Sequence, residues 1–335
     1  MAFTPIGDLA RQFAAMHHLA SARQRLDTLA AELASGTVAD PAARLGGRTD
    51  RLAAAAHRIA LLDAGREAAH LLAHRLEAAQ TALDHVDTQR GTLARELLAL
   101  PVAATPQLIA DTASRAGIAF ATAVSALNGR HGTESLFAGT ATDGPALAPA
   151  DTILAALRAH VAGAADADDL AARVDAFFDD PGGGFATMAY LGDTGPAPTR
   201  RLDGQDFALG PRADDPALRA VMKGLALAAL AADHPPGIPD SARAAIMHRA
   251  GAALTGAADA LAGSRAALGT VQERAETAAS RQSAALTAAR IEHAVLIAAS
   301  PEDTAVALRD AEIRLETQYA VTARLAGLSL AGYLR

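Results

Sequence analysis

The chain has no cysteine and no tryptophan, and aromatic residues make up 3% of its 335 positions. Without cysteine there are no disulfides and no thiolate metal ligands. Thick globular cores draw much of their buried area from aromatic rings. So few rings predict a thin, close-packed object rather than an enzyme core. Lysine is almost missing as well, with Lys223 standing alone against many arginines, and the net charge is −7 with a pI of about 5.9. No run or face is basic enough to track a phosphate backbone, which argues against a nucleic-acid partner. No window of about twenty residues is apolar and uncharged, so no membrane span is expected. The start, Met1-Ala-Phe-Thr-Pro-Ile-Gly-Asp8, lacks the basic and apolar regions of a secretory signal. Any export is therefore expected to proceed without a cleaved signal peptide.

What is abundant is alanine, roughly a quarter of the residues, the best helix former and small enough to let helices approach closely. The first segment, Ile6 to Leu33, spaces Leu9, Phe13, Met16, Leu19, Leu26, Leu29 and Leu33 by threes, fours and sevens, an amphipathic helix. Ser35-Gly36 stops it, glycine being favoured just past a helix end. A loop follows through Asp40-Pro41 to Gly46-Gly47. Leu72, Leu76, Ala79, Leu83, Val86, Arg90, Leu93, Leu97 and Leu100 then alternate spacings of four and three, a coiled-coil seam interrupted by Arg90. That arginine either sets register or snorkels outward. After Pro101 and Pro106 a third helix carries Ile109, Ala113, Ala116, Phe120, Ala123 and Leu127, closed by Asn128-Gly129. Glu134 to Thr140 reads as a short strand or turn.

Composition shifts near Ala146, and five of the eleven aromatic residues fall between Phe177 and Phe207. Helical runs at Ile153–Val161 and Leu170–Phe178 precede a Pro181-Gly-Gly-Gly184 break. Candidate strands follow at 187–191, 199–202 and 207–209, with Asp203-Gly204 as a hairpin turn. A helix begins at Asp214-Asp215-Pro216, and Asp233 to Pro239 breaks the chain again. Residues 146–236 are therefore expected to form an inserted, outward-facing α/β module with a small core of its own. Beyond it the heptads return from Leu254 through Leu261, Leu268 and Ala275 to Ala285, and Ser300-Pro301 starts a last helix.

The expected fold is mainly α: an elongated antiparallel helical bundle or coiled coil formed by both chain ends, carrying the insert. Its parts are an N-terminal coiled-coil helix (1–35), rod segments (36–145 and 237–300), the insert (146–236) and a C-terminal coiled-coil helix (301–335). That last helix is apolar on opposite sides. Leu308, Leu315 and Thr322 recur every seven residues, and so do Val306, Ile313 and Ala320. One stripe can pack on the N-terminal helix; the second asks for another molecule.

These landmarks resemble the flagellin superfamily, and within it the hook–filament junction branch. The residues that carry the likeness are Leu33-Ala-Ser35-Gly36 followed by Ala39-Asp40-Pro41-Ala42-Ala43, then Leu127-Asn128-Gly129 before Leu136-Phe137-Ala138-Gly139-Thr140, and the closing run Gln318-Tyr319 through Leu325, Leu328 and Leu330. The likeness covers about 1–145 and 240–335. It implies a non-enzymatic structural subunit of the bacterial flagellum, linking hook to filament outside the cell and exported through the flagellar type III apparatus. Its implied partners are further copies in a helical assembly, a neighbouring hook-associated protein, flagellin and an export chaperone. The implied assembly residues are Leu9, Phe13, Met16, Leu308, Ile313, Leu315, Tyr319, Leu325, Leu328 and Leu330, the first three meeting Leu308, Leu315 and Leu325. Terminal helices in this family are usually rich in Asn, Gln and Ser, where this chain has Ala, Arg and His, and the paired aspartates of the family's loop are reduced to Asp40. Bulk filament flagellin and an accessory paralogue therefore stay open as alternatives, as does, from another class, a cytosolic helical ligand-binding protein.

No cofactor, metal or catalytic set is expected. His70 and His74 share a helix face at metal-ligand spacing, but no third ligand accompanies them. Pro181–Gly184 lacks the strand-before, helix-after setting of a phosphate loop and reads as a flexible connector. Asp179-Asp180 and Asp214-Asp215 have no acid–base partner and read as helix ends and caps.

Overall fold

The computed structural model describes residues 6–231 and 240–333, with side chains for 13–231 and 241–324. The fold is mainly helical. In chain order the helices are α1 (Ile6–Ser35), α2 (Pro41–Arg44), α3 (Asp50–Leu98), α4 (Pro106–Leu127), α5 (Ala150–Val161), α6 (Ala167–Asp179), α7 (Pro216–Leu230), α8 (Asp240–Gly256), α9 (Ala258–Ile297) and α10 (Pro301–Tyr333). Two antiparallel hairpins complete the set: β1 (Arg130–His131) with β2 (Glu134–Ser135), and β3 (Thr199–Leu202) with β4 (Gln205–Ala208). The chain divides into two compact units, residues 1–63 with 283–335 and residues 64–282, so the division falls inside both α3 and α9.

Helix starts follow from local chemistry. The Asp40 carboxylate accepts from the Ala43 N–H at 2.9 Å, Thr105 caps α4, Asp166 caps α6 and Asp215 caps α7, and proline opens α2, α4 and α7. Gly36, at φ +69°, ends α1 in the left-handed region that glycine enters without penalty.

The 64–282 unit holds one continuous hydrophobic cluster running from Ala69 to Ala279. The seam expected on α3 faces it: Leu72, Leu76, Leu83, Val86 and Leu97 are fully buried. So are Leu261 and Ala275 of α9, although the heptad run is broken at Ala257, between α8 and α9. Six of the eight phenylalanines (Phe120, Phe137, Phe177, Phe178, Phe185 and Phe207) are buried here, and Phe178 meets Phe177 edge-on and Phe185 at a tilt, each with ring centroids 5.4 Å apart.

Residues 146–231 have no core of their own, contrary to the sequence expectation. Helix α7 packs on both α4 and α8, and eleven of its fifteen residues are buried. Only Pro216, Arg219, Ala220 and Lys223 escape full burial, and a helix so largely apolar belongs inside a core. Gly224 fits it there, since a Cβ at that position would fall 2.7 Å from the Leu254 side chain. Within the same stretch, the strand expected at 187–191 is instead a π-helical turn, Phe185–Ala189. Both its ends point into the core, a spacing of four rather than two. The β3–β4 hairpin forms as read, with Asp203 and Gly204 at positive φ in its turn. In the Pro181–Gly184 break, Gly183 and Gly184 lie tight against α6. A Cβ on Gly183 would meet the Ala176 carbonyl at 2.5 Å, and one on Gly184 would lie 2.0 Å from the Phe177 ring. The glycines allow the chain to turn directly against the end of α6.

The segment Leu136–Gly139 is buried, and two loops hang from its backbone: Ala213 N–H donates to Phe137 O and Asp193 N–H to Ala138 O, both at 2.9 Å. The Thr140 hydroxyl adds a hydrogen bond to Asp193. The Tyr190 hydroxyl donates to Asp193 O at 2.9 Å. Burial pushes this phenol up to about 12, with Asp214 and Asp193 adding to the rise and Arg212 opposing it. Folded Tyr190 thus holds its proton more tightly than free tyrosine at 10.0. Its contribution to stability is intact below about pH 10 and is lost as pH climbs towards about 12. Melting temperatures across that range should fall more steeply for the parent chain than for Tyr190→Phe; parallel curves would refute this.

Candidate functional site

In the unit formed by 1–63 and 283–335, α1 and α10 lie against each other along their length. They run antiparallel. Arg23 in mid-α1 bonds the Tyr319 hydroxyl and lies 5.3 Å over its ring, whereas Thr37, just past the end of α1, bridges Ala298, just before α10. That bridge is closed by Val38 N–H to Ile297 O and Ala299 N–H to Gly36 O, each 2.9 Å. The start of α3 and the end of α9 are joined by Arg58–Glu292 at 3.5 Å and Arg290–Asp63 at 3.6 Å.

The α1 residues withdrawn from solvent against α10 are Ala15, Leu19, Ala22, Leu26 and Leu29, spaced four and three. Their α10 counterparts are Thr304, Ala307, Leu308, Ala311, Leu315 and Gln318. Alanines at the contact bring the axes close. One edge of the pair is a polar groove lined by His18, Ser21 and Arg25 from α1 and Asp310, Arg314 and Gln318 from α10.

Away from this seam on each helix lie apolar side chains largely open to solvent. Phe13 is 76% exposed and Met16 is also open; on α10 Val306 is 64% and Ile313 54% exposed, with Ala320 one heptad further on. At 100° per residue, Val306 and Ile313 fall about 180° from the stripe through Thr304 and Ala311. Ten of the sixteen exposed large apolar side chains belong to this unit, and Leu286 is its one large apolar residue buried in full, among the described residues. Large exposed apolar patches are a common mark of interaction surfaces.

The sequence-predicted residues separate accordingly. Leu308 and Leu315 are half-buried in the α1–α10 seam, whereas Phe13, Met16 and Ile313 are exposed, and Tyr319 sits at the seam's edge under Arg23. Within the chain Phe13 and Met16 do not share the seam of Leu308 and Leu315; they occupy the face turned away. Leu9, Leu325, Leu328 and Leu330 lie outside the residues whose side chains are described.

The other candidates resolve into ordinary partners. His70 is exposed, and His74 Nδ1 lies 3.5 Å from Glu77; among the described residues no cluster of three or more His, Asp or Glu side chains has the geometry to hold a metal. Asp179 and Asp175 grip Lys223 at 2.5 and 2.9 Å, Asp214 pairs with Arg212 at 2.8 Å, and Asp215 caps α7. Arg90 does not snorkel: it pairs with Asp87 at 2.7 Å and donates to Leu254 O at 3.2 Å. Asp87 also binds Arg265, which reaches Asp84 at 2.7 Å, so the α3 and α9 helices are keyed to one register.

One charged cluster was invisible to the spacing argument. Arg75 of α3 is 1% exposed, with its guanidinium 3.1 Å from Glu134 and 3.0 Å from Ser135 O on the β1–β2 hairpin. Desolvation pulls its pKa down, Glu134 opposes that, and Arg200, itself 3.6 Å from Glu134, adds to the fall. Arg75 sits three residues after Leu72 and four before Ala79, inside the buried stripe. That position was the available signal. Among the described residues no helix is long and apolar enough to cross a membrane. Set against known proteins, the chain matches no family model and no curated protein.

Proposed function

We propose that this chain is a non-enzymatic structural subunit of the bacterial flagellum that links hook to filament by polymerising through its paired terminal helices. The observation that carries the reading is the doubled apolar character of α10. One stripe is used on α1, and the stripe through Val306 and Ile313 faces away, largely open to solvent. A helix pair with so little core of its own and so much open apolar surface gains stability when copies stack side by side, each covering the next. In this reading the two chain ends extend as an elongated antiparallel coiled coil, and Phe13, Met16, Ile313 and Tyr319 contact neighbouring copies. Before assembly the same surface is held by an export chaperone, and the chain leaves without a cleaved signal peptide.

The buried Leu136–Gly139 anchor and the Ser35-Gly36 stop, both part of the flagellin-like pattern, add support. The acidic pairs that could have suggested acid–base chemistry are caps and ion-pair partners. Immunogold labelling of intact flagella tests the assignment. The proposal expects one narrow band where hook meets filament. Label along the whole filament would make the chain flagellin. Absence of label, with a purified monomer whose termini resist hydrogen exchange, would make it a cytosolic helical binding protein.

A further inference from the structure

Asn128 is the only asparagine in the chain, and glycine follows it. This is the sequence most prone to spontaneous deamidation, because glycine leaves the following amide nitrogen free to approach the side-chain carbonyl carbon. In the fold both reacting groups are occupied. Asn128 ends α4 through its backbone N–H, and its side chain reaches across to Leu147, accepting from its N–H at 2.8 Å and donating to its carbonyl at 2.9 Å. The Gly129 N–H is committed to Ala126 O at 3.0 Å.

The pin matters to the core. Leu147 is fully buried, and its neighbours bond the other way: Ala148 N–H donates to Ala189 O at 2.8 Å and Leu191 N–H to Ala146 O at 2.9 Å. Residues 146–148 therefore lie between two partners, the 189–191 backbone on one edge and a single side-chain amide on the other. An amide can serve here because it offers a donor and an acceptor side by side, as a peptide group does.

We propose that Asn128-Gly129 is a fold-gated modification site: a deamidation clock that runs in the unfolded chain and stops when the Leu147 pin closes. In the reaction, the Gly129 nitrogen attacks Asn128 Cγ and loses its proton, and the bond to the side-chain nitrogen breaks to release ammonia. Water then opens the resulting succinimide to aspartate or isoaspartate. Either product removes the donor that faced the Leu147 carbonyl. Aspartate sets a carboxylate oxygen against that carbonyl at the former hydrogen-bond distance, and isoaspartate also lengthens the backbone at the end of α4. A chain that lingers unfolded thus loses a core hydrogen bond it cannot regain. The inference rests on these bonds alone and is independent of the flagellar reading.

The test compares the full chain, folded and in denaturing urea, at one alkaline pH and temperature. Mass spectrometry of the tryptic peptide Ala116–Arg130 follows the one-dalton gain. Conversion at least about tenfold slower in the folded chain is expected, since reaction there requires local opening. Equal rates would overturn the proposal. A second arm uses Asn128→Asp, which should lower the urea midpoint; an unchanged midpoint would refute the role of the amide as a pin, and the rate comparison needs no variant at all.

Discussion

Replacing Val306 and Ile313 together with aspartate is expected to abolish the proposed assembly and to leave the chain folded. Both side chains are more than half exposed in the free subunit, so the fold loses little; aspartate inside a helix costs a few tenths of a kcal/mol per site at most, relative to valine or isoleucine. In the proposed assembly the same positions are covered by a neighbour, and each burial of an unpaired carboxylate costs several kcal/mol. Every subunit carries the defect, and every contact along the polymer repeats it. Removal of everything after Asp303 should have the same consequence by deleting both stripes, with the 64–282 unit still folded. Leu308→Asp is the contrasting control. It enters the half-buried seam with α1 and should loosen the helix pair itself, lowering helicity in circular dichroism. Light scattering and motility read assembly; motile cells carrying the Val306/Ile313 double variant with normal helicity would sink the idea.

The parts of this fold that were legible in the sequence share one property: a single buried side. The α3 stripe Leu72–Leu76–Leu83–Val86, the α4 stripe, and the run through Leu261, Leu268 and Ala275 all bury as their spacing predicts. The doubled stripe of α10 was legible for the same reason, since two opposite faces still have a period. The signal fails where burial is nearly complete. Helix α7 buries eleven of its fifteen residues and leaves, beyond Pro216 at its start, only a narrow strip at Arg219, Ala220 and Lys223 partly open, so spacing shows a helix but not that it packs on α4 and α8 rather than inside a separate module. Phe185 and Ala189 are buried four apart, yet Thr187-Met188-Ala189-Tyr190 imitates a strand locally. Terminal pairing was legible only in outline. Phe13 and Met16 lie on the same three-four ladder as Leu19, and spacing cannot tell which of two faces of a small-residue helix meets the partner. Alanines decided it: Ala15 and Ala22 permit the close approach to Ala307 and Ala311.

Glu134→Gln should destabilise the chain more than Arg75→Met, although glutamate is the more exposed of the pair. The argument turns on what each change leaves behind. Arg75→Met keeps an apolar stem of similar length in a buried slot, and replacing a buried ionic group by a well-packed hydrophobe is often nearly neutral. It strands the Ser135 carbonyl, about 1–3 kcal/mol for an unsatisfied buried acceptor, while Glu134 is 42% exposed on its side chain and still has Arg200 at 3.6 Å. Glu134→Gln leaves the guanidinium in place, buried and unable to discharge its proton. One of its nitrogens, Nε, already has no partner. Breaking a fully buried pair costs about 3–5 kcal/mol; solvent at Glu134 screens part of this, and a loss of about 2–3 kcal/mol is expected. The double variant Arg75→Met/Glu134→Gln should be no less stable than Glu134→Gln, because the stranded charge is gone and only the unpaired Ser135 carbonyl remains. Urea midpoints of the three variants measure the ordering. A double variant weaker than Glu134→Gln alone would mean that the guanidinium contributes through its bond to Ser135 and the hairpin geometry, not as a charge that Glu134 must neutralise.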